Sequence, residues 1–355
     1  MKKIYKLLIS IIFKKIYGDV KSIYKKSSNF IVKSFNIENK RYYLLNIKNC
    51  RIFTDSTNNA AFLVNNTLIK EVSYQIISNA NSNIKKNSVF KRGTPKLLKK
   101  KEGPVLSLIT GGGANNNYWH WMYDSVSRLR LVEKVYKLNY FNCFLVPDIK
   151  YGFQKQTLDL LGIRTKSISS KQNKHIFSKE IIATNHPWQF SKNPHFDIEN
   201  VPNWITGWLR NKFLRFKSKK KFYKKIYIDR SDSKFNKINQ RQIINEKEIK
   251  KKLIKKKFKI LKLSNFSITD QIGIFNSAEI IIGNHGAGFT NLIFCKKGTK
   301  VIEFVDKNTA KIFKKISKDL NLNYHSVLGK RIEKDRGDQN NNLIISSKKI
   351  MKLIS

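Results

Sequence analysis

Three short stretches of the chain gather residue types that can do chemistry at spacings with a physical meaning. The densest is Ile281-Ile-Gly-Asn-His-Gly-Ala-Gly-Phe-Thr-Asn291, an apolar strand pattern running into a glycine-rich turn and then a helical pattern. Without Cβ atoms, Gly286 and Gly288 let backbone N–H groups approach an anion, and the helix that follows adds its positive N-terminal end. His285 is placed to donate to a phosphate oxygen and, when protonated, to neutralise charge on a leaving group. A plain strand-to-helix turn with a surface histidine has the same pattern, so phosphate binding needs corroboration. Tyr227-Ile-Asp-Arg230 supplies some: it closes a predicted strand and leads through a polar loop to Arg241-Gln-Ile-Ile-Asn-Glu246 at a helix start. Two guanidinium forks near strand carboxyl ends fit a diphosphate bidentately and stabilise charge on a departing nucleoside diphosphate. Taken singly they are surface arginines of a basic protein, and Asn245 and Glu246 read equally as a helix cap.

The third stretch is Asn117-Tyr-Trp-His-Trp-Met-Tyr-Asp124, continuing to Arg128. On a helix, His120 and Asp124 are i and i+4 on one face with Arg128 a turn further, while Trp119, Met122, Val126 and Leu129 face a core. An Asp or a His in a cleft can take a hydroxyl proton, which is what acceptor activation requires; a structural hydrogen-bonding role is the alternative. Glu303, ending a predicted strand past the glycine turn, is placed either to accept from a ribose diol or to stand as a solvated glutamate. The sequence contains no D-x-D, the carboxylate pair that commonly holds a divalent ion on a sugar diphosphate, so no metal is expected.

The elements that must carry these residues follow from the apolar periodicity. Residues 1 to about 100 alternate short apolar runs with polar turns and read as β-rich, with a basic loop over 96–101. Then come a strand over 105–109, a flexible turn at Gly111-Gly-Gly113, a helix over 118–134, strands at 144–146 and 181–183, and a helix over 153–161 between them. A charge run at Lys217-Ser-Lys-Lys-Lys221 follows a helical pattern over 204–216 and reads as a break. Beyond it strands at 226–228, 260–263, 280–282 and 301–305 alternate with helices at 245–257, 267–277 and 290–295, which predicts a mostly parallel sheet with ligands outside the carboxyl ends of its strands. The domains expected are therefore 1–216, with a β-rich part over 1–100 and an α/β part over 105–200; a Rossmann-like domain over 222–330; and a tail, 331–355, packing back on the first domain.

The chain has 355 residues, room for two cores of ordinary size, and its 41% hydrophobic and 12% aromatic content exclude a disordered protein. Its net charge of +47 points towards polyanions. Lysine is nevertheless spread along the whole chain beside Ile, Asn and Phe, residues with A/T-rich codons, so most of the charge reads as solvated surface. Cys50, Cys143 and Cys295 have no C-x-x-C spacing, which indicates neither a disulfide framework nor a zinc site and fits a reducing cytoplasm. The apolar run near the N-terminus, seven residues within 3–15, is too short to span a bilayer. Flanked by lysines, it fits either peripheral contact with an anionic membrane or a buried helix.

At the three stretches the sequence resembles glycosyltransferase family 61, which includes bacterial polysaccharide-biosynthesis proteins, plant xylan-modifying enzymes and animal secretory-pathway transferases. The resemblance rests on the H-W-x-x-D core within Asn117 to Asp124, on Arg230 with Arg241-x-x-x-Asn245-Glu246, and on Gly283-Asn-His-Gly-Ala-Gly288 followed by Thr290-Asn-Leu, and it spans about residues 105–306. Two departures stand out: the interval from Arg230 to Arg241 is longer than usual, and Ser127 occupies a proline position. The resemblance implies an α/β protein of GT-B type with two Rossmann-like domains facing each other across a cleft, a UDP-sugar donor held chiefly by the C-terminal domain, and transfer to a glycan hydroxyl with inversion. On that reading Asp124 is the general base and His120 orients it or the sugar. The donor is held by Arg230, Arg241, Asn245, Asn284, His285, Gly286, Ala287, Gly288, Thr290 and Glu303, with no cofactor or metal. Surface-polysaccharide assembly at the cytoplasmic face of the membrane, without specific nucleic acid, completes the expectation. A non-enzymatic polyanion-binding protein is the alternative; a nicotinamide-dependent enzyme is disfavoured because no G-x-G-x-x-G follows a strand with an acidic residue about 20 positions on.

Overall fold

A computed structural model describes residues 2–24, 30–56, 58–78, 81–109, 117–191, 193–231, 234–235, 238–239, 241–332 and 341–355. The glycine turn expected at 111–113 lies outside these residues. The chain forms two units, 1–197 and 198–355. The boundary precedes the helix Asn203–Leu214, so the break expected at 217–221 falls inside the second unit. That helix is tied there by Arg210, whose guanidinium donates to the carbonyls of Ile293 and Cys295.

In the first unit a single sheet joins the two regions that the sequence divides. Lys40–Ser56 is antiparallel to His175–Thr184 on one edge, and pairs with Ile31–Ile37 and Asn59–Val64 along the other. His175–Thr184 is parallel to Lys99–Ser107, which is followed by Cys143–Val146 and Ser167–Ser169, also parallel. The chain thus crosses the sheet in one direction from Lys99–Ser107 and returns to that strand's other side with His175–Thr184. Lys99, Lys100 and Lys101 belong to the strand and not to a loop, because Ile176, Phe177 and Ser178 pair with them. Alternating residues such as Leu45, Ile47, Val105, Leu145, Ile181 and Ala183 close one core, as the two-residue period of a pleated strand requires.

The second unit has a five-stranded, wholly parallel sheet. Its order is Lys259–Leu261, Lys225–Ile228, Ile280–Asn284, Lys300–Val305, Asn323–Leu328. In chain order this is 2-1-3-4-5, so the winding reverses between Lys225–Ile228 and Ile280–Asn284, and a crevice opens beyond their carboxyl ends. Helices Glu246–Lys255 and Ile268–Ser277 make the crossovers, the latter started by Ser267, whose hydroxyl accepts from the Asp270 amide. The tail returns to its own unit: Ile345 and Ile350 are buried with Tyr227, Ile249, Ile282 and Phe304. Met351, Leu353 and Ile354 of the C-terminal helix Ser347–Ile354 pack against the same core.

Candidate functional site

The structure places the predicted residues in two clusters, one in each unit, each by the carboxyl ends of parallel strands. In the first unit the helix begins at Asn117, whose side chain accepts from the amides of Trp119 and His120 and so caps it. The α-helical turn Tyr118–His120 widens into a π turn, Trp121–Val126, before α geometry resumes over Arg128–Val132. Ser127 sustains the widening: its N–H donates to the Met122 carbonyl, five residues back, and its hydroxyl to the Tyr123 carbonyl. The proline expected by resemblance would supply neither donor. π turns shift side-chain register locally and recur at functional sites.

At that turn Asp124 is fully buried. One of its oxygens lies 2.9 Å from His120 Nδ1, and the other accepts from Trp188 Nε1 at 2.7 Å. Burial alone would raise its pKa, but the charge of His120 and its hydrogen bond, then His186 and the Trp188 indole, outweigh burial and hold the carboxyl below its ordinary value. Arg128, also buried, fixes the strand that ends at Thr184, donating to the carbonyls of Thr184 and Asn185 and to that of Asp124. His186 Nδ1 accepts from the amides of Trp188 and Gln189, so its proton sits on Nε2. Burial pushes this imidazole down to about 3 despite the attraction of Asp124. His186 Nε2 and Trp119 Nε1 are both shielded from solvent and have no acceptor among the described residues. They sit among rings, Trp119 stacked on Tyr123 and tilted against Trp188, and buried donors of this kind ask for an explanation such as a ligand oxygen.

In the second unit Arg230 follows the strand Lys225–Ile228, and its guanidinium donates to the His285 carbonyl. Arg241 donates to the same carbonyl, and its own backbone carbonyl accepts from Asn284 Nδ2. The Arg241 backbone is left-handed, φ 55°, a conformation that costs a non-glycine residue on the order of 1 kcal/mol or more. A ladder from the tail imposes it. Gln242 N–H donates to Asn342 Oδ1, Leu343 N–H to the Gln242 carbonyl and Ile244 N–H to the Leu343 carbonyl; Asn245 then exchanges two bonds with the backbone of Ile345. Burial first, and Arg230 second, lower the Arg241 pKa to about 10. The carboxylates of Glu303 and Asp306 oppose that fall.

The turn between them is shaped by the same arginine. A Cβ on Gly286 would stand 2.6 Å from the Arg230 Cζ, so glycine is needed here for close approach, its backbone being extended. The 3₁₀ helix Ala287–Phe294 starts directly after it, earlier than the helix expected at 290–295. Its first amides, at Ala287 and Gly288, open a helix, the position where N–H groups suit an anion. Gly288 packs on Leu263, which a Cβ would meet at 2.9 Å. The Thr290 hydroxyl is buried there with no partner among the described residues. His285 Nδ1 lies 2.5 Å from Glu303, and Tyr324 donates to the other Glu303 oxygen at 2.6 Å. Burial lowers the His285 pKa, opposed by Glu303 and reinforced by Arg241 and Arg230.

The structure bears on the sequence expectations for Asp124, Glu303 and Asn245. Asp124, expected as the base, has no exposed surface and both of its oxygens are engaged; His120, 23% exposed at the side chain, is the member that reaches outward. Glu303, expected on a ribose, is 1% exposed and stands behind His285. Asn245, expected on the donor, spends its amide on the tail, and Glu246 accepts from Tyr227. Sequence reasoning missed His186, Trp188, Tyr324 and Arg210. The first two follow the carboxyl end of His175–Thr184, where a parallel strand presents its loop, and that rule could have found them. Among the described residues no group of three or more His, Cys, Asp or Glu could hold a metal ion. A model of the family described as Glycosyltransferase 61 matches residues 118–302, just over half of the chain. No curated protein matches it.

Proposed function

The chain belongs to glycosyltransferase family 61, and from that premise we propose that it moves a sugar from a UDP-sugar to a hydroxyl of a glycan acceptor, with inversion at the anomeric carbon. The observation that carries this reading is the convergence of Arg230 and Arg241 on the His285 carbonyl at the switch point of the parallel sheet. A nucleoside diphosphate is the anion that such a pair, the amides of Ala287 and Gly288 and the imidazole of His285 are built to receive. With Nδ1–H donated to Glu303, His285 offers an Nε2–H to a phosphate oxygen once the bound anion has drawn a second proton onto the ring; Asn284 fixes the Arg241 backbone, and Thr290 offers its hydroxyl.

The reaction then needs a base, and His120 provides it. Asp124 holds the imidazole through Nδ1, which leaves Nε2 to accept the proton as the acceptor oxygen bonds to the anomeric carbon. The bond from that carbon to the β-phosphate oxygen breaks on the opposite side, and the arginines stabilise the diphosphate as it leaves, each such contact typically contributing a few kcal/mol. The orphan donors of His186 and Trp119 orient sugar hydroxyls. Cationic side chains do the work a divalent ion does elsewhere, so the reaction is metal-independent, on a GT-B architecture. Surface-polysaccharide synthesis in the cytoplasm is the setting we propose. Family membership leaves the polyanion-binder alternative without support.

Thermal stabilisation by UDP, GDP, CMP and NAD, with and without EDTA, tests the donor assignment, since a ligand that binds only the native state raises the melting point. A UDP-selective rise that survives EDTA and disappears in Arg241→Ala is expected. A rise that requires a divalent ion, or none with UDP, would overturn it.

A further inference from the structure

The helix Lys2–Tyr17 is docked on the first unit the wrong way round for a helix surrounded by water. Its inward side is held by polar groups. The Ser10 hydroxyl donates to the Arg92 carbonyl, Lys14 pairs with Asp19 at 2.9 Å, and the Tyr17 hydroxyl accepts from the Leu98 amide. Tyr17 also packs edge-on against His175, and Arg51 donates to its carbonyl. The helix is therefore not free to roll. Its outward side carries Ile4, Leu7, Leu8, Ile11, Ile12 and Ile16, each between 45% and 65% exposed. At about 100° per residue these six share roughly half of the circumference. A surface helix normally turns such a stripe into the core, and an exposed apolar face of this kind, interrupted on its last turn by Lys15, marks a contact site.

The surroundings identify what it contacts. A groove of about 830 Å³ runs along the helix, with apolar Ile9, Phe13 and Leu97 on its walls beside basic Arg92, Lys171 and Lys174. Leu97 is 74% exposed. Apolar side chains with cations at the same level match a bilayer interface, where the acyl boundary takes the former and anionic headgroups the latter. A second copy of this chain would bring the same positive charge to the same groove. No helix among the described residues is long and apolar enough to cross a membrane, so the helix would lie in the interface. We infer that Lys2–Tyr17 and the basic groove beside it form a docking face for an anionic bilayer surface. This inference stands apart from the transferase reading, because none of these residues belongs to either cluster.

Co-sedimentation of the full chain with vesicles of phosphatidylcholine, alone or mixed with phosphatidylglycerol, tests it. The wild type is expected to bind the mixed vesicles and to release them at high salt. Leu8→Asp with Ile12→Asp should lower binding at least about tenfold, while the melting point and its UDP response stay unchanged because both positions face outward. Lys171→Glu with Lys174→Glu should remove the preference for phosphatidylglycerol. The inference is overturned if the wild type ignores mixed vesicles, or if the double aspartate variant binds them equally. It is also overturned if the apolar face instead drives a concentration-dependent dimer, seen by analytical ultracentrifugation, in a protein that binds no vesicle.

Discussion

A carboxylate enclosed between an imidazole and an indole acts through its neighbours, and that decides what replacing it should do. His120→Ala is expected to lower kcat by about 10²- to 10⁴-fold, the usual contribution of a positioned base, while UDP affinity is kept. Asp124→Asn should cost turnover of similar order by releasing the ring. Exogenous imidazole separates the two roles: it should restore part of the activity of His120→Ala and none of that of Asp124→Asn. Normal turnover in His120→Ala would return the base to Asp124. In the second unit, Gly286→Ala would place a methyl group against the Arg230 guanidinium. Because the far end of a flexible side chain can move aside, the fold should survive, with the apo melting point little changed. UDP binding measured by calorimetry should weaken by about tenfold as one of two phosphate forks is displaced.

At the scale of elements, strands and helices were largely legible because buried parallel strands and amphipathic helices carry strong periodic signals. Ile226, Ile281 and Val301 lie in strands, and Ile268, Ile272 and Phe275 face the core from one helix, where their spacing puts them. The candidate residues were legible as types. Their roles were not, because a role depends on which atom stays exposed. Nothing in the spacing of His120 and Asp124 tells which is buried; that follows from Trp188, 64 positions on. Lys99 to Lys101 read as loop since charge hides the pairing that Ile176 to Ser178 provide. The π turn was equally hidden, being a matter of register and not of composition. Its entrance depends on Asn117, so Asn117→Ala should lower stability by about 1 kcal/mol and reduce kcat further than stability explains. Urea unfolding beside initial rates would separate the two effects.

For the molecule as a whole, pH is the sharper lever on stability. His175 is buried, with Nδ1 on the Lys96 carbonyl and Nε2 beside Arg51, and burial pushes it down to about 4; His186 is held lower still, at about 3. Both native pKa values lie below the ordinary value near 6.5, so from there downward the unfolded chain binds protons that the native state refuses. Stability must fall with pH across that window, by up to about 1.4 kcal/mol per unit for each histidine. Urea midpoints at pH 7.5 and 4.5 should show it, and His175→Gln should flatten the slope. A further consequence concerns the order of synthesis. The loop carrying Arg241 is fastened by residues a hundred positions downstream. On the ribosome the first unit and most of the second sheet exist before residues 341–345 do, so the Arg241 loop is fastened only after the rest of its surroundings has been made. A chain released early, after residue 340, would keep His120 and Asp124 yet lack the fastener for its second arginine, and with it the nucleotide-sugar binding proposed for that loop.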